Sequence, residues 1–459
     1  MMSSASRQPL RLFCPHALLA EGWRCDVAID VDEVGRFAAF VPDASPEGRE
    51  RAKGPVVPAL ANLHSHAFQR AMAGLAERAG TNEDSFWTWR DEMYRVVGLM
   101  NPERLEAVAT RLYIDMLKGG FGRVAEFHYL HHGPGGVPYS DRAATSRAIL
   151  AAARTAGIGL THLPVFYAHG NFGGAAPGEG QRPFLHSVDD FLALLETLRP
   201  ATAEMGARLG LAIHSLRAAT PDEMRTILAA SPDGPVHIHI AEQEREVEDC
   251  LAWSGRRPVE WWLGEMPVDA RWCAIHATHM TEAETAGLAA SGAVVGLCPA
   301  TEANLGDGIF PATRFLKAGG RFGIGTDSHV ATSVAEELRL LEYGQRLRDR
   351  RRARLASGPG ASIGRTLLDG AVSGGAQALG LGTGGLRVGA PADFVVLDGD
   401  DPFIAAAEGD AILDRWLFAI GDRAVRDVAV DGRFVIRDGR HEADETADAA
   451  LARVLADIA

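Results

Sequence analysis

Eight short apolar segments recur between residues 57 and 327, each followed by a stretch of helical character, and this alternation restricts the chain more than any other feature. The segments span 57–66, 122–129, 157–165, 209–214, 236–240, 271–276, 293–298 and 321–327. They are short and read as strands buried on both faces. The intervening helices carry their own punctuation. Ser187 with Asp190, and Thr281 with Glu284, fit the pattern of a hydroxyl answered by a carboxylate three residues on. Thr220-Pro221 offers an N-cap followed by proline at the first helical position, and Gly119-Gly120 and Gly157 end the helices before the second and third strands. Strand and helix in strict alternation make a parallel sheet, and eight such strands imply a closed (β/α)8 TIM barrel.

The flanks have a different texture. Residues 11–57, 389–397 and 425–435 show short apolar stretches broken by glycine and charge, with no helical period. Residues 1–57 and 380–459 are therefore expected to pair into one small β-sandwich domain beside a barrel at 58–379, with the Ala-rich tail, 443–459, as an amphipathic helix. A chain of 459 residues with 47% hydrophobic content can build a core of that size. Its net charge of -14 argues against a nucleic-acid surface, and the arginines from Arg346 to Arg354 read as a solvated helical face. Five widely spaced cysteines suggest neither a disulfide framework nor a zinc ribbon. Residues 1–10 have no apolar signal core, and no run of 18 apolar residues occurs, so a cytoplasmic protein without a membrane anchor is expected. The long glycine-rich stretch 169–184 is read as a mobile cover over the active face, with a plain flexible loop as the alternative.

Function is expected where polar residues fall on the strands. In a barrel the carboxyl ends of the strands converge on one site. Strand one ends in His64-Ser65-His66, whose alternate residues share a face. Strand five carries His239, strand six ends in His276 and strand eight in Asp327. Three imidazoles and one carboxylate suit zinc, with iron or manganese as alternatives, and leave one histidine for catalysis. Glu242, three residues past His239, is an anchor for a ligand or a proton carrier. Strand four ends in His214-Ser215-Leu216-Arg217 with no lysine nearby to bridge a second ion, so one metal is expected.

These motifs, in this order and spacing, resemble the amidohydrolase superfamily and its deaminase branch. The narrower resemblance is to the formimidoylglutamate deiminases of histidine degradation. It rests on Leu63-His-Ser-His-Ala-Phe-Gln-Arg70, the stretch 85–90, Val124-Ala-Glu-Phe-His-Tyr129, His214-Ser-Leu-Arg217, His239-Ile-Ala-Glu-Gln243 and the stretch 298–308. The resemblance implies hydrolysis of N-formimidoyl-L-glutamate to N-formyl-L-glutamate and ammonia by a homodimer holding one divalent metal per subunit, zinc by preference. It implies His64, His66, His239 and Asp327 as ligands, with Glu242, His276 and Asp327 moving protons. Gln69, Arg90, Tyr129, His214 and Arg217 would contact the substrate, Arg90 in its own subunit or across an interface. Arginines suit a dicarboxylate. Two rival readings stand beside this one. The first is another deaminase of the branch, acting on guanine, an adenosine derivative or a triazine. The second is a non-catalytic scaffold of the same fold.

Overall fold

The structure is a computed structural model and describes residues 9–77, 86–231 and 233–458. Residues 1–8, Ser85, the side chains of Phe86 and Trp87, and Ala459 therefore lie outside the described residues. The eight segments appear as β1 (Leu60–Ser65), β2 (Phe121–His128), β3 (Gly159–Phe166), β4 (Leu211–Ser215), β5 (Val236–Ile240), β6 (Trp272–His276), β7 (Val294–Leu297) and β8 (Arg321–Ile324). Each pairs in parallel with the next. Ile324 opposite Asn62 joins β8 to β1, so the barrel is closed. Helices flank it, and the expected caps are present: Ser187, Thr220 and Thr281 each accept from the backbone N–H three residues on.

Three segments differ from their expected form. Residues 57–66 are two strands: Val56–Pro58 belongs to a second sheet, and β1 begins at Leu60. Pro58 has no N–H to donate and suits a strand end. Segment 209–214 is broken at Gly210, where a Cβ would sit 2.6 Å from the Pro235 carbonyl oxygen. The eighth strand is regular only to Ile324; Asp327 lies beyond it with φ of +45°.

The second sheet has eight strands drawn from both ends of the chain, seven along one path and Glu50–Arg51 paired at its side, and it includes Arg11–Leu19, Gly22–Val31, Phe394–Leu397 and Val425–Val430. It has a core of its own, with Leu12, Ile29, Phe37, Phe394 and Val396 fully or nearly fully buried. Arg123 on β2 ties it to the barrel by pairing with Asp393 and Asp431. The tail helix, Asp444–Ile458, packs instead on the barrel helix Pro102–Lys118, where Asp444 accepts from Lys118 Nζ at 2.6 Å. All five cysteines are free, and no helix among the described residues is long and apolar enough to cross a membrane.

Two loop expectations take a different shape. The arginine run is helical only to Asp349, and Arg346, Arg348 and Arg354 pair with Glu342 and Asp349 rather than facing solvent alone. Loop 169–184 is pinned: His169 meets Glu223 at 2.9 Å, and Gln181 donates to the Tyr167 hydroxyl at 2.6 Å.

Gly325, between β8 and Asp327, is where the barrel is tightest around the site. A Cβ there would meet His64 Cβ at 2.7 Å and the His64 backbone N at 2.9 Å. Gly325→Ala is expected to cost about 1–3 kcal/mol of stability and to lower bound metal together with the melting temperature. An unshifted melting curve with full metal content would contradict this packing.

Candidate active site

Backbone hydrogen bonds between the ends of β1 and β8 assemble the centre. The His64 carbonyl accepts from the N–H groups of Thr326 at 3.1 Å and Asp327 at 3.0 Å, and the Asp327 carbonyl accepts from His66 N–H at 3.2 Å. Side chains brace this seam. Asn62 Oδ1 accepts from both His64 N and Thr326 N at 3.2 Å. His329 Nε2 accepts from His66 N at 3.1 Å, and its Nδ1 meets Thr326 Oγ1 at 2.8 Å. The buried Glu126 carboxylate accepts from Ala67 N, Ser65 Oγ and Tyr113 OH, tying β1 to β2. None of these bracing side chains was expected from the sequence.

His64, His66 and His239 offer ligand atoms within 4.8 Å of one another, as do His64, His276 and Asp327. His64 Nε2 and His239 Nε2 are 2.9 Å apart, and His66 Nε2 is 3.2 Å from Asp327 Oδ1. The residues present fit a metal cation. His66 spends its Nδ1 proton on the Phe127 carbonyl at 2.9 Å, and burial holds its pKa down at about 3. The ring is therefore neutral, and its Nε2 lone pair faces a carboxylate oxygen. Two such groups converging in a buried site suit a cation held between them. Burial likewise keeps His64 and His239 well below the ordinary imidazole range, which leaves both as lone-pair donors.

His276 faces the opposite charge environment. Its Nε2 lies 3.6 Å from Asp327 Oδ2 and 3.7 Å from Glu242 Oε1, and its Nδ1 is 3.3 Å from Glu302 Oε1. Burial works against its positive charge, but Glu242, Glu302 and Asp327 outweigh it and raise its pKa to about 10. Burial pushes the Asp327 carboxyl up to about 7, against the pull of His276. His276, Asp327 and His329 all hold positive φ without being glycine, at 68°, 45° and 62°. Such backbone strain at strand ends is typical of sites where side-chain direction matters more than local comfort.

Beside this cluster opens a small cavity. All five expected substrate contacts, Gln69, Arg90, Tyr129, His214 and Arg217, line it together with Glu242, His276 and Asp327. Gln69 Nε2 donates to the Tyr129 hydroxyl at 2.7 Å, while its buried Oε1 has no partner. The His214 ring stands 5.0 Å from that of His239. Arg90 reaches the cavity of its own chain, with its guanidinium 5.6 Å from the Tyr94 ring centre. Arg217 is half-buried, and its buried Nε has no partner. Burial works against its charge, and Glu246, Tyr167 and Glu242 hold it up without a carboxylate bonded to it among the described residues.

Sequence reasoning missed Glu302, Asp307, Glu246 and the aromatic walls Tyr94, Tyr167 and Phe184. Tyr94 follows Arg90 by four residues, a helical spacing that puts both on one face. Glu246 accepts from Ala241 N and Glu242 N at 3.0 and 3.3 Å, holding the turn that delivers Glu242. Phe184, the last residue of the glycine-rich loop, forms part of the cavity wall, with its ring 4.9 Å from that of Tyr129.

His239→Ala, purified from zinc-supplemented medium and dialysed, is expected to hold at least about tenfold less metal than the parent, as read by plasma mass spectrometry. Full metal content in that variant would remove His239 from the centre.

Comparison with known proteins agrees with this geometry. Residues 56–435 match the amidohydrolase family. A formimidoylglutamate deiminase from Pseudomonas aeruginosa is 58% identical over 97% of this chain and 99% of its own. The crystal structure of an amidohydrolase from Brucella melitensis superposes with a TM-score of 0.94 at 51% identity, covering 98% of this chain and 99% of that one. An adenosine deaminase from Xanthomonas campestris, crystallised with bound zinc, shares the fold at a TM-score of 0.80 and 22% identity, covering 98% of both chains. The chain belongs to the amidohydrolase family.

Proposed function

We propose that the protein hydrolyses N-formimidoyl-L-glutamate to N-formyl-L-glutamate and ammonia, using one zinc ion per subunit held by His64, His66, His239 and Asp327. The observation that carries this reading is Arg217. Its guanidinium lines the cavity that holds the histidine–aspartate cluster, and no carboxylate among the described residues is bonded to it. A planar fork of donors in a partly desolvated cavity calls for a carboxylate from the ligand. Arg90 on the same wall suits the second carboxylate. A nucleobase or triazine would leave Arg217 without a counter-charge. The likeness to the Pseudomonas deiminase over nearly the whole chain supports the same substrate. The resemblance of the motifs also supports a homodimer.

The chain's own residues divide the work. Gln69, Tyr129 and His214 border the cavity between the arginines and the cluster and orient the amidine. His64, His66, His239 and Asp327 would hold a divalent cation, which would supply the Lewis acidity for water to ionise near neutral pH. Asp327, 3.6 Å from His276, accepts the proton released as water adds to the formimidoyl carbon. Glu242 and His276, 3.7 Å apart, hydrogen-bond the imino nitrogen. Through that pair the nitrogen gains both protons of the water, first the one taken up by Asp327 and then the hydroxyl proton of the tetrahedral carbon, so the carbon–nitrogen bond breaks with neutral ammonia leaving as the formyl carbonyl forms.

The direct test is ammonia release from N-formimidoyl-L-glutamate, with and without a chelator, beside a panel of guanine, adenosine derivatives and triazines. Release from the linear amidine alone, abolished by the chelator, is expected. Turnover confined to the ring compounds would overturn the substrate. For Arg217→Ala, KM is expected to rise by at least about tenfold with metal content retained. An unchanged KM would take Arg217 out of substrate binding.

A further inference from the structure

We propose that Glu302 is the positioning residue for His276: it holds the imidazole by Nδ1 so that Nε2 is the atom presented to the reacting nitrogen. The inference rests on the role given to His276 above. Glu302 is the fourth residue of the short helix Pro299–Leu305, which follows β7. Its side chain folds back over the helix start, where Oε1 accepts from Cys298 N at 2.9 Å and lies 3.3 Å from His276 Nδ1. A carboxylate in that position can only accept, so Nδ1 must be the protonated donor. The other ring nitrogen then points at Glu242 and Asp327 across the cavity.

Three further observations separate this from a simple helix cap. Glu302 is only 6% exposed, and His276 is its one ionic partner among the described residues. A neutral hydroxyl or amide would satisfy Cys298 N equally well, whereas a buried carboxylate is costly without a cationic partner. His276 has φ of +68°, so regular strand geometry does not aim its side chain, and an external anchor has to. The helix that carries Glu302 is itself tied to the loop bearing Asp327. Thr301 Oγ1 donates to the Thr326 carbonyl at 3.2 Å and accepts from Ser328 N at 3.3 Å. One small helix therefore keeps His276 and Asp327 in register.

The test is a double-mutant cycle on the zinc-loaded enzyme with Glu302→Ala, His276→Asn and the pair, reading kcat, KM and metal content. Glu302→Ala is expected to lower kcat by about 10- to 100-fold, with KM and metal content within about twofold of the parent. In the His276→Asn background the same substitution is expected to cost less than about twofold, because the residue it acts through is already gone. Glu302→Gln keeps both acceptor contacts without the charge. It carries the test should the alanine variant fail to fold, with an expected loss of about 3- to 10-fold that also vanishes beside His276→Asn. Equal losses in both backgrounds, or a parent-like kcat in the Glu302 variants while His276→Asn is impaired, would overturn the inference and leave the proposed reaction standing. A parent-like kcat in His276→Asn would overturn both.

Discussion

Three backbone hydrogen bonds at the closing seam of the barrel, between His64 and His66 on one side and Thr326 and Asp327 on the other, are what the rest of the site hangs from. They bring residues more than 260 positions apart in sequence to within 3.2 Å of side-chain contact. Without them the imidazoles of β1 and the carboxylate beyond β8 would share no volume. The close approach is possible because Gly325 has no side chain to hold the two chain segments apart. Asn62, His329 and Glu126 then lock the seam from beneath, and each meets polar groups that would otherwise be buried without partners.

From that seam the site divides electrostatically. On one side lie three imidazoles kept neutral by burial, with lone pairs converging where a cation fits. On the other is a histidine surrounded by Glu242, Glu302 and Asp327, which raise its pKa against the effect of burial. The same residue type meets two opposite electrostatic settings because its neighbours differ, not its intrinsic chemistry. Arg90 and Arg217 line the same cavity and add positive charge to it.

Much of this was legible in the sequence, for a specific reason. Strand residues have a period of two, and barrel strands end on a common face, so His64, His66, His239, His276 and Asp327 could be placed on one site before any coordinates. Gln69, Tyr129, His214, Arg217 and Arg90 followed from the resemblance and do line the cavity. What stayed hidden sits on turns and helix starts. Glu302, Asp307 and Glu246 carry no periodic signal, and their approach depends on how a short helix or turn folds back. The break at Pro58 was hidden too, because two consecutive apolar strands in different sheets look like one long strand until their partners are known.

The sequence by itself determined the barrel, the identity of the residues at its carboxyl face and the family, because alternation of strand and helix and the spacing of ligating side chains are local properties of a chain. Only the tertiary structure decided which residues support them. It joined β1 to β8, pinned loop 169–184 so that Phe184 walls the cavity, sent the tail helix to the barrel instead of the second sheet, and turned Glu302 onto His276. Those outcomes depend on the contacts that form once the chain has closed on itself, and no window of consecutive residues contains them.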